Sequence, residues 1–210
     1  MSAKFLITAV IPLLILILAA CMGTQRESAA AESSGVQVFG VQVLASGTVV
    51  PPTPKPIQVD LPDMGAAPEI LNETWINSDV PVTLESVRGK VVLLEFWTFG
   101  CINCRHVIPY VRDWYDRYNG DDFTVISVHY PEFNYERDID NVKKATEELG
   151  IEYAVAIDND RLTWGAYNQR YWPTTYLIDK NGRIRYQHIG EGAYDKTETA
   201  IQLLMAEPEP

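Results

Sequence analysis

The sequence predicts an α/β domain in which a mixed central sheet is flanked by helices. Two uninterrupted apolar runs, KVVLLEFW (90–97) and FTVISVHY (123–130), have the composition of strands that are buried on both faces. A segment with helical spacing of its apolar residues follows the first run, from about Cys101 to Tyr118. Near the C-terminus, TTYLIDKNGRIRYQHIG has the pattern of a hairpin with its turn at residues 179–182. Strands that alternate with helices, followed by a hairpin and a last helix, indicate helices on both faces of the sheet.

The other elements of the domain follow from local patterns between Leu61 and the C-terminus. Segment 67–90 contains strand-like and turn-like pieces, with Trp75 as the expected packing anchor. Asn119-Gly120 is expected to end the first helix and Gly150 the second. The remaining predicted elements are a helix over 135–150, a strand over 152–158, a short helix over 161–167 and a terminal helix over 195–205.

The acidic composition limits the partners that this chain can bind. The sequence has 17 Lys and Arg residues against 28 Asp and Glu residues, which gives a net charge of −11. An acidic surface repels both nucleic-acid phosphates and anionic lipid headgroups. We therefore expect no nucleic-acid partner, and we expect any membrane contact to depend on a lipid rather than on a basic patch.

The first 20 residues, MSAKFLITAVIPLLILILAA, have the layout of a secretory signal peptide. An uncleaved transmembrane helix is the alternative, because the apolar run is nearly long enough to span a bilayer. The next residue favours the signal peptide, since LAAC (18–21) resembles a bacterial lipobox, in which the cysteine receives a diacylglyceryl group. We therefore expect residues 1–20 to be removed, Cys21 to be lipidated, and the rest of the chain to lie outside the cytoplasm on a bacterial membrane.

Residues 21–60 are predicted to be a tether between the lipidated cysteine and a folded domain at 61–210. The tether begins with small polar residues and ends in VVPPTPKPIQVD, whose prolines favour an extended conformation. Between these parts, VQVFGVQV (36–43) alternates apolar and polar residues at the period of a strand. That stretch is either part of the tether, which is the interpretation we favour, or a short strand added to the domain.

Cys101 and Cys104 form a C-x-x-C pair where the first predicted strand meets the first predicted helix. The first cysteine would lie at the helix N-terminus, where unpaired N–H groups and the helix dipole favour a thiolate. The second would lie one turn later, close enough to attack a mixed disulfide. The pattern therefore predicts that Cys101 is an exposed nucleophile and that Cys104 is a buried resolving thiol. With Cys21 assigned to the lipid, no odd cysteine is left.

Three other roles for the cysteine pair have weaker support. A zinc site needs four ligands, and the chain has no second C-x-x-C motif and only three scattered histidines. Covalent haem attachment needs His directly after the second cysteine, where this chain has Arg105. A purely structural disulfide would close too short a loop to add much stability. We therefore expect no metal and no organic cofactor, only a redox-active Cys101–Cys104 disulfide.

Glu95 and Pro173 are further candidates for the site. Glu95 interrupts an apolar strand six residues before Cys101, so it is either a buried carboxyl with a raised pKa or an exposed residue at a sheet edge. In the first case it could carry the proton that Cys104 must lose. Pro173 precedes a predicted strand, and it is either an ordinary first residue of a strand or a cis-proline packed against the cysteines. A cis-proline would leave the backbone of Trp172 free to pair with an extended substrate.

Three stretches of the sequence resemble the thioredoxin superfamily: GKVVLLEFWTFGCINCRHVIPYV, AIDNDRLTWGAYNQRYWPTTYLID and GRIRYQHIGEGAYD. More narrowly, they resemble the membrane-tethered extracytoplasmic thioredoxins of the TlpA/ResA type, and above all the thioredoxin-like domain of DipZ-type proteins. The resemblance covers nearly all of 61–205. It implies the thioredoxin fold with an extra strand–helix insertion near 152–167.

The resemblance also implies roles for individual residues. It makes Cys101 the attacking thiol and Cys104 its partner, and it places Glu95 at the buried carboxylate position. Pro109 matches the family's kink-forming helix proline, and Pro173 becomes a cis-proline. Substrate contacts are expected at four positions: Trp97, Trp172, Pro173 and Thr174.

The sequence departs from these relatives in two places. Val107 stands where some relatives in cytochrome c maturation carry Glu, so a dedicated role with apocytochrome is not implied. The dipeptide between the cysteines is Ile102-Asn103 rather than Gly-Pro. DipZ-type proteins also fuse this domain to a membrane electron conduit, a segment that we do not expect in this protein. We therefore expect the electron donor to be a separate membrane protein.

These observations together predict a lipid-anchored thiol–disulfide oxidoreductase that works mainly as a reductant of protein disulfides, for example in cytochrome c maturation or envelope thiol repair. One alternative is a thioredoxin-like binding module with a non-catalytic disulfide, whose surface around Trp97, Trp172 and Pro173 holds a partner. Peroxide reduction is a weaker alternative. Thr98 stands three residues before Cys101 as in such enzymes, but Leu94 replaces the proline expected four residues earlier.

Overall fold

The computed structural model of the chain describes residues 57–208 and two short strands before them. The chain divides into two compact units between Thr53 and Pro54. The predicted signal peptide, Cys21 and most of the predicted tether lie outside the described residues. Among the described residues, no helix combines the length and the apolar character needed to cross a membrane.

The described residues of the first unit form a small antiparallel ladder. Strand β1 (Gln42–Val43) pairs with strand β2 (Val49–Val50). The end of the alternating VQVFGVQV stretch is therefore a strand, and its partner is the next short stretch of the same unit. The beginning of VQVFGVQV lies outside the described residues.

The second unit is built on a mixed six-stranded sheet with the spatial order β3-β6-β5-β4-β7-β8. Strand β4 is central, because β5 pairs with it in parallel on one side and β7 pairs with it antiparallel on the other. The strands are β3 (Trp75–Ile76), β4 (Val91–Trp97), β5 (Phe123–His129), β6 (Ala154–Ile157), β7 (Thr174–Ile178) and β8 (Ile184–Ile189).

Helices cover both faces of this sheet, as the sequence predicted. They are α1 (Ile102–Tyr118), α2 (Ile139–Glu148), α3 (Leu162–Ala166) and α4 (Tyr194–Met205), with a 3₁₀ helix at Asn134–Arg137. Alternate residues of β4 point to opposite faces. Leu93 and Trp97 join the core cluster that contains α1 and α4, and Leu94 and Phe96 join the cluster that contains Trp164 of α3. The predicted mixed sheet with helices on both faces is thus confirmed, and β6 and α3 lie within 152–167, where the resemblance implied a strand–helix insertion.

One predicted helix is interrupted in the structure. The segment over 135–150 forms the 3₁₀ helix and then α2, with extended backbone at Asp138 between them. The side chain of Asp138 accepts hydrogen bonds from the backbone N–H groups of Asp140 and Asn141. Asp138 is therefore the N-cap of a new helix rather than a residue inside a longer one. The predicted end at Gly150 is confirmed, with φ of 62° at that residue.

Candidate active site

Cys101 lies at the junction of β4 and α1, where it is the N-cap residue of the helix. Its Sγ atom accepts a hydrogen bond from the backbone N–H of Cys104 at 3.4 Å. The side chain is partly exposed. The hydrogen bond from the Cys104 thiol and those from the backbone N–H groups of Cys104 and Asn103 lower the pKa of Cys101 to about 6. Cys101 is therefore largely a thiolate at neutral pH, and it is accessible to a substrate.

Cys104 lies one helical turn later and is completely buried in the core cluster beneath α1. Both cysteines are free thiols in this structure. Burial and the hydrogen bond that its S–H donates to Cys101 raise the pKa of Cys104 well above the usual value. Because the two pKa values are moved in opposite directions, one thiol is ready to attack while the other holds its proton.

Glu95 is fully buried in the centre of β4, so it is not an exposed residue at a sheet edge. Its position along the strand places it on the same face as Leu93 and Trp97, the face that α1 covers. The hydroxyl of Tyr153 donates a long hydrogen bond of 3.4 Å to its Oε2 atom. No group of the described residues hydrogen-bonds to Oε1. Burial raises the pKa of Glu95 to about 8, against the weaker opposing effect of the Tyr153 hydrogen bond.

The three-residue turn before Cys101 is held by groups that sequence reasoning did not identify. His129, the last residue of β5, is completely buried, and its Nε2 atom lies 3.3 Å from the hydroxyl of Thr98. Its ring stacks on Phe99 at 5.6 Å and meets Trp97 edge-on at 5.2 Å. Burial lowers the pKa of His129 to about 4. The imidazole is therefore neutral under ordinary conditions, and its role here is packing rather than charge.

Glu136 is the second group that was missed. It lies in the 3₁₀ helix after β5 and is fully buried. Its Oε1 atom accepts a hydrogen bond from the backbone N–H of Gly100 at 2.8 Å. Its Oε2 atom accepts from the backbone N–H groups of Glu132 at 2.7 Å and Phe133 at 2.8 Å. Nothing in the local pattern NYERD distinguishes this residue from an exposed acidic residue of a helix.

The peptide bond between Trp172 and Pro173 is cis, as the resemblance implied. Pro173 itself is buried, whereas Trp172 is partly exposed. The indole N–H of Trp172 donates to the backbone carbonyl of Tyr130 at 3.1 Å, and the two rings stack at 5.7 Å. Trp172 therefore forms part of an aromatic surface that includes Tyr130.

Two of the predicted substrate contacts are wrong as side-chain contacts. Trp97 is completely buried, and its indole N–H donates to the hydroxyl of Ser127 at 3.2 Å. Thr174 is also completely buried, and its hydroxyl donates to the carbonyl of Tyr171. Both residues lie in strands of the sheet interior, so neither side chain can reach a protein partner. The alternative of a binding surface around Trp97, Trp172 and Pro173 therefore loses the side chain of Trp97 and keeps the partly exposed Trp172.

The AhpC/TSA family model matches residues 62–187 of this chain. That match includes the complete segment from β3 to β7 and therefore both cysteines, Glu95, His129 and Glu136. It covers more than half of the chain.

Two curated relatives and one solved structure agree with this match. Protein DipZ of Mycobacterium tuberculosis is 44% identical over 153 residues, which are 71% of this chain but only 22% of DipZ. Thiol-disulfide oxidoreductase YkuV of Bacillus subtilis is 30% identical over 144 residues, which are 68% of this chain and 95% of YkuV. The thioredoxin-like superfamily protein SPOA0173 superposes with a TM-score of 0.65 at 28% identity, covering 69% of this chain and 99% of that one. The chain therefore belongs to the AhpC/TSA family, has the thioredoxin-like fold, and counts a named thiol-disulfide oxidoreductase among its full-length relatives.

Proposed function

We propose that this protein is a thiol–disulfide oxidoreductase that exchanges electrons with protein disulfides through Cys101 and Cys104. One observation carries the proposal: an accessible thiol with a pKa of about 6 caps helix α1, and a buried thiol lies directly behind it. The name of YkuV supports the same activity. Because the chain spans about a fifth of DipZ, the activity of that longer protein does not carry over as a whole.

The reaction would take place in two exchange steps. In the first, the Cys101 thiolate attacks one sulfur of a substrate disulfide, which forms a mixed disulfide and releases the other substrate sulfur as a thiolate. In the second, Cys104 loses its proton and attacks Cys101, which releases the second substrate thiolate. The products are a Cys101–Cys104 disulfide and a substrate dithiol, so two electrons pass to the substrate.

Glu95 would receive the proton from Cys104 in the second step. Its pKa of about 8 lies near neutral pH, where a proton acceptor and donor works best. The charged form of Glu95 is also among the causes that raise the pKa of Cys104, so the two groups are close enough to affect each other's charge. Since both are buried, the proton transfer would be shielded from bulk water.

The substrate would be a protein segment that lies beside Cys101 and the partly exposed Trp172 and pairs with the backbone next to the buried Pro173. Ile102, which follows Cys101 in the chain, is 61% exposed, and Tyr171, which precedes Trp172, is 58% exposed. Such a surface suits an extended, partly apolar segment around a cysteine. The acidic net charge does not favour a nucleic-acid partner.

We further propose that the protein is anchored outside the cytoplasm by a lipid on Cys21, with the domain at 61–210 facing its substrates. It would work as a reductant of protein disulfides, for example in cytochrome c maturation or envelope thiol repair. A separate membrane electron donor would reduce its Cys101–Cys104 disulfide again. No metal or organic cofactor is needed for this chemistry. Replacing Cys21 by Ser should move the protein out of the membrane fraction without changing its reduction of a soluble disulfide.

A covalent trap tests the oxidoreductase role directly. Cys104→Ser should accumulate mixed disulfides between Cys101 and proteins of its own cell envelope, whereas Cys101→Ser should form none and lose all turnover. The doubly substituted protein is the control for adventitious crosslinks. A Cys104→Ser protein that traps no partner under these conditions would contradict the proposal.

The direction of electron flow requires the reduction potential of the Cys101–Cys104 couple. Trp97 and Cys104 belong to the same core cluster, so tryptophan fluorescence should report the redox state. A potential near or below about −270 mV, that of thioredoxin, would support a reductant, whereas one near about −120 mV would make the protein an oxidant.

A further inference from the structure

We infer that Glu136 is a positioning residue for the nucleophile: it fixes the turn before Cys101 by holding the Gly100 amide, and so sets the geometry of the thiolate at the N-terminus of α1. Glu136 touches no reacting atom. Its action would pass through the chain from Gly100 to Cys101.

The contacts of Glu136 join two segments that are distant in sequence. One carboxylate oxygen accepts the Gly100 N–H, and the other accepts the N–H groups of Glu132 and Phe133. Gly100 is itself exposed at the surface, yet its N–H points to a carboxylate that is fully buried. Glu136 therefore hydrogen-bonds the turn before Cys101 to the loop after β5, next to the packing of Tyr135 against Phe99 of the same turn.

The close approach of the two segments leaves no space for a side chain at position 100. A Cβ atom built on Gly100 would lie 2.5 Å from Oε1 of Glu136 and 2.7 Å from the hydroxyl oxygen of Tyr135. Glycine is thus required here by contact rather than by a left-handed backbone. The arrangement couples the position of Gly100 tightly to that of Glu136.

The thiolate of Cys101 depends on local geometry that this turn controls. The Cys101 N–H donates to the carbonyl of Thr98 at 3.4 Å, and its Sγ atom accepts from the N–H of Cys104 at the same distance. The first is long for an N–H···O hydrogen bond, so a small displacement of the turn would break it. The second has an ordinary length for a sulfur acceptor. If the turn is released, the N–H groups that stabilise the thiolate should be less well aligned with it.

The substitution Glu136→Gln tests this role, because a positioning effect and a charge effect of Glu136 would change the pKa of Cys101 in opposite directions. A Gln side chain keeps one accepting oxygen and loses the other, so it can hold either Gly100 or the Glu132–Phe133 pair but not both. If Glu136 positions Cys101, the thiolate loses stabilisation and the pKa of Cys101 rises. If Glu136 acts only as a nearby negative charge, its removal lowers the pKa of Cys101.

The measurement is the pH profile of iodoacetamide alkylation of the reduced full-length protein, followed on the Cys101 peptide by mass spectrometry so that Cys21 does not interfere. We expect the midpoint to rise by about one pH unit in Glu136→Gln, which corresponds to an about fivefold slower reaction at pH 6. An unchanged or lowered midpoint would overturn the positioning role.

Asp158→Asn is the matched control. Asp158 is also a fully buried carboxylate, and it accepts backbone N–H groups from Leu162, Thr163 and Trp164 at the start of α3. The substitution should reduce stability by a similar mechanism while leaving the midpoint for Cys101 alkylation unchanged. An equal shift in both variants would show that general loosening of the fold, and not Glu136, is responsible.

Amide hydrogen exchange of Gly100 in the unmodified protein provides a second test that does not depend on a variant folding. The inference requires slow exchange at this exposed glycine, because its N–H is bonded to a buried acceptor. Exchange at the rate of an open turn would overturn the inference. Neither this test nor the alkylation profile requires a protein substrate. The inference about Glu136 can therefore fail while the proposed oxidoreductase function stands, and the proposed function can fail while the inference stands.

Discussion

Glu95 and Glu136 are both fully buried carboxyl groups within the same site, and their surroundings differ completely. Glu95 lies inside a central strand, where the backbone N–H groups are used by neighbouring strands, and among the described residues it receives one long hydrogen bond, from Tyr153. Glu136 lies beside two turns, where unused backbone N–H groups point towards it, and it receives three.

The difference teaches that burial alone does not decide what a carboxyl group does. A carboxylate that loses water without gaining donors favours its neutral form, which is why the pKa of Glu95 rises to about 8. A carboxylate with three N–H donors has its lost hydration replaced and can connect the segments that supply them. The first environment suits proton transfer, and the second suits positioning.

The largest effect should come from removing the acceptor at position 136. Glu136→Ala leaves three backbone N–H groups without partners, so we expect the free energy of unfolding to fall by about 4 kcal/mol. Urea denaturation measures this loss. The exposed neighbour Glu132 supplies the control, since Glu132→Ala should change stability by less than about 0.5 kcal/mol. A similar, small loss in both variants would contradict the importance of the three hydrogen bonds.

Glu95→Gln should change stability in a pH-dependent way. The folded-state pKa of Glu95, about 8, lies above its ordinary value of 4.5, so the folded state holds this proton more tightly and loses stability as pH rises from 4.5 to 8. The Gln variant lacks this loss, so at pH 9 it should be more stable than the unmodified protein by about 3 kcal/mol. Below pH 5 the advantage should disappear.

Thermal unfolding at pH 5, 7 and 9 measures the difference between the two proteins. Gln should become the less stable side chain at low pH, because its amide N–H groups would be buried with no acceptor. The exposed Glu73 provides a control for the substitution itself, since Glu73→Gln should change stability by less than about 0.5 kcal/mol. A constant difference across this range would mean that Glu95 is not titrating between pH 4.5 and 8.

A smaller effect is expected when the contact with Glu136 is crowded rather than removed. Gly100→Ala places a Cβ atom within 2.5 Å of Oε1 of Glu136, so we expect a loss of about 1.5 kcal/mol in the free energy of unfolding. Gly165 in α3 is the matched control, since a Cβ there would meet nothing within 4 Å. Gly165→Ala should therefore increase stability slightly, by about 0.5 kcal/mol. Urea denaturation of both variants should show opposite signs.

The smallest effect should come from a carboxylate at the surface. Glu198 accepts hydrogen bonds from Arg117, Tyr118 and Trp114, and chiefly the Arg117 contact lowers its pKa to about 2. Its contribution to stability is therefore present above pH 4.5 and is lost as pH falls towards 2. Because the site is largely solvated, Glu198→Gln should cost less than about 1 kcal/mol at pH 7. Denaturation at pH 7 and pH 3 should show the difference shrinking at the lower pH.

Much of the fold could be predicted because its signals are local. The uninterrupted apolar runs at 90–97 and 123–130 indicated buried strands, and β4 and β5 occupy them. The turn at 179–182 was predicted from its residues, and Gly182 has the positive φ of 75° that such a turn uses. The interruption at Asp138 was not predicted, because a capping Asp and an exposed helical Asp look alike in one sequence.

The part of the candidate site that could be predicted also has local signals in the sequence. The C-x-x-C spacing at a strand–helix junction is a local pattern, and it identified Cys101 and Cys104 without knowledge of other parts of the chain. Glu95 was recognisable because a charged residue in an apolar strand is unusual. The assignment of Trp97 to a binding surface was wrong, because an aromatic residue at the end of a strand can face either the core or the solvent.

The sequence by itself determined the order of the strands and helices, the cysteine pair and the acidic charge, because each depends on residues that are neighbours in the chain. Only the tertiary structure decided how the nucleophile is held. Gly100 and Glu136 are 36 residues apart, and their hydrogen bond exists because parallel pairing of β4 and β5 brings the ends of both strands to the same edge of the sheet. Burial and the supply of hydrogen-bond donors, which give Glu95 and Glu136 their different roles, are properties of the assembled sheet and its loops and not of either residue's sequence neighbours.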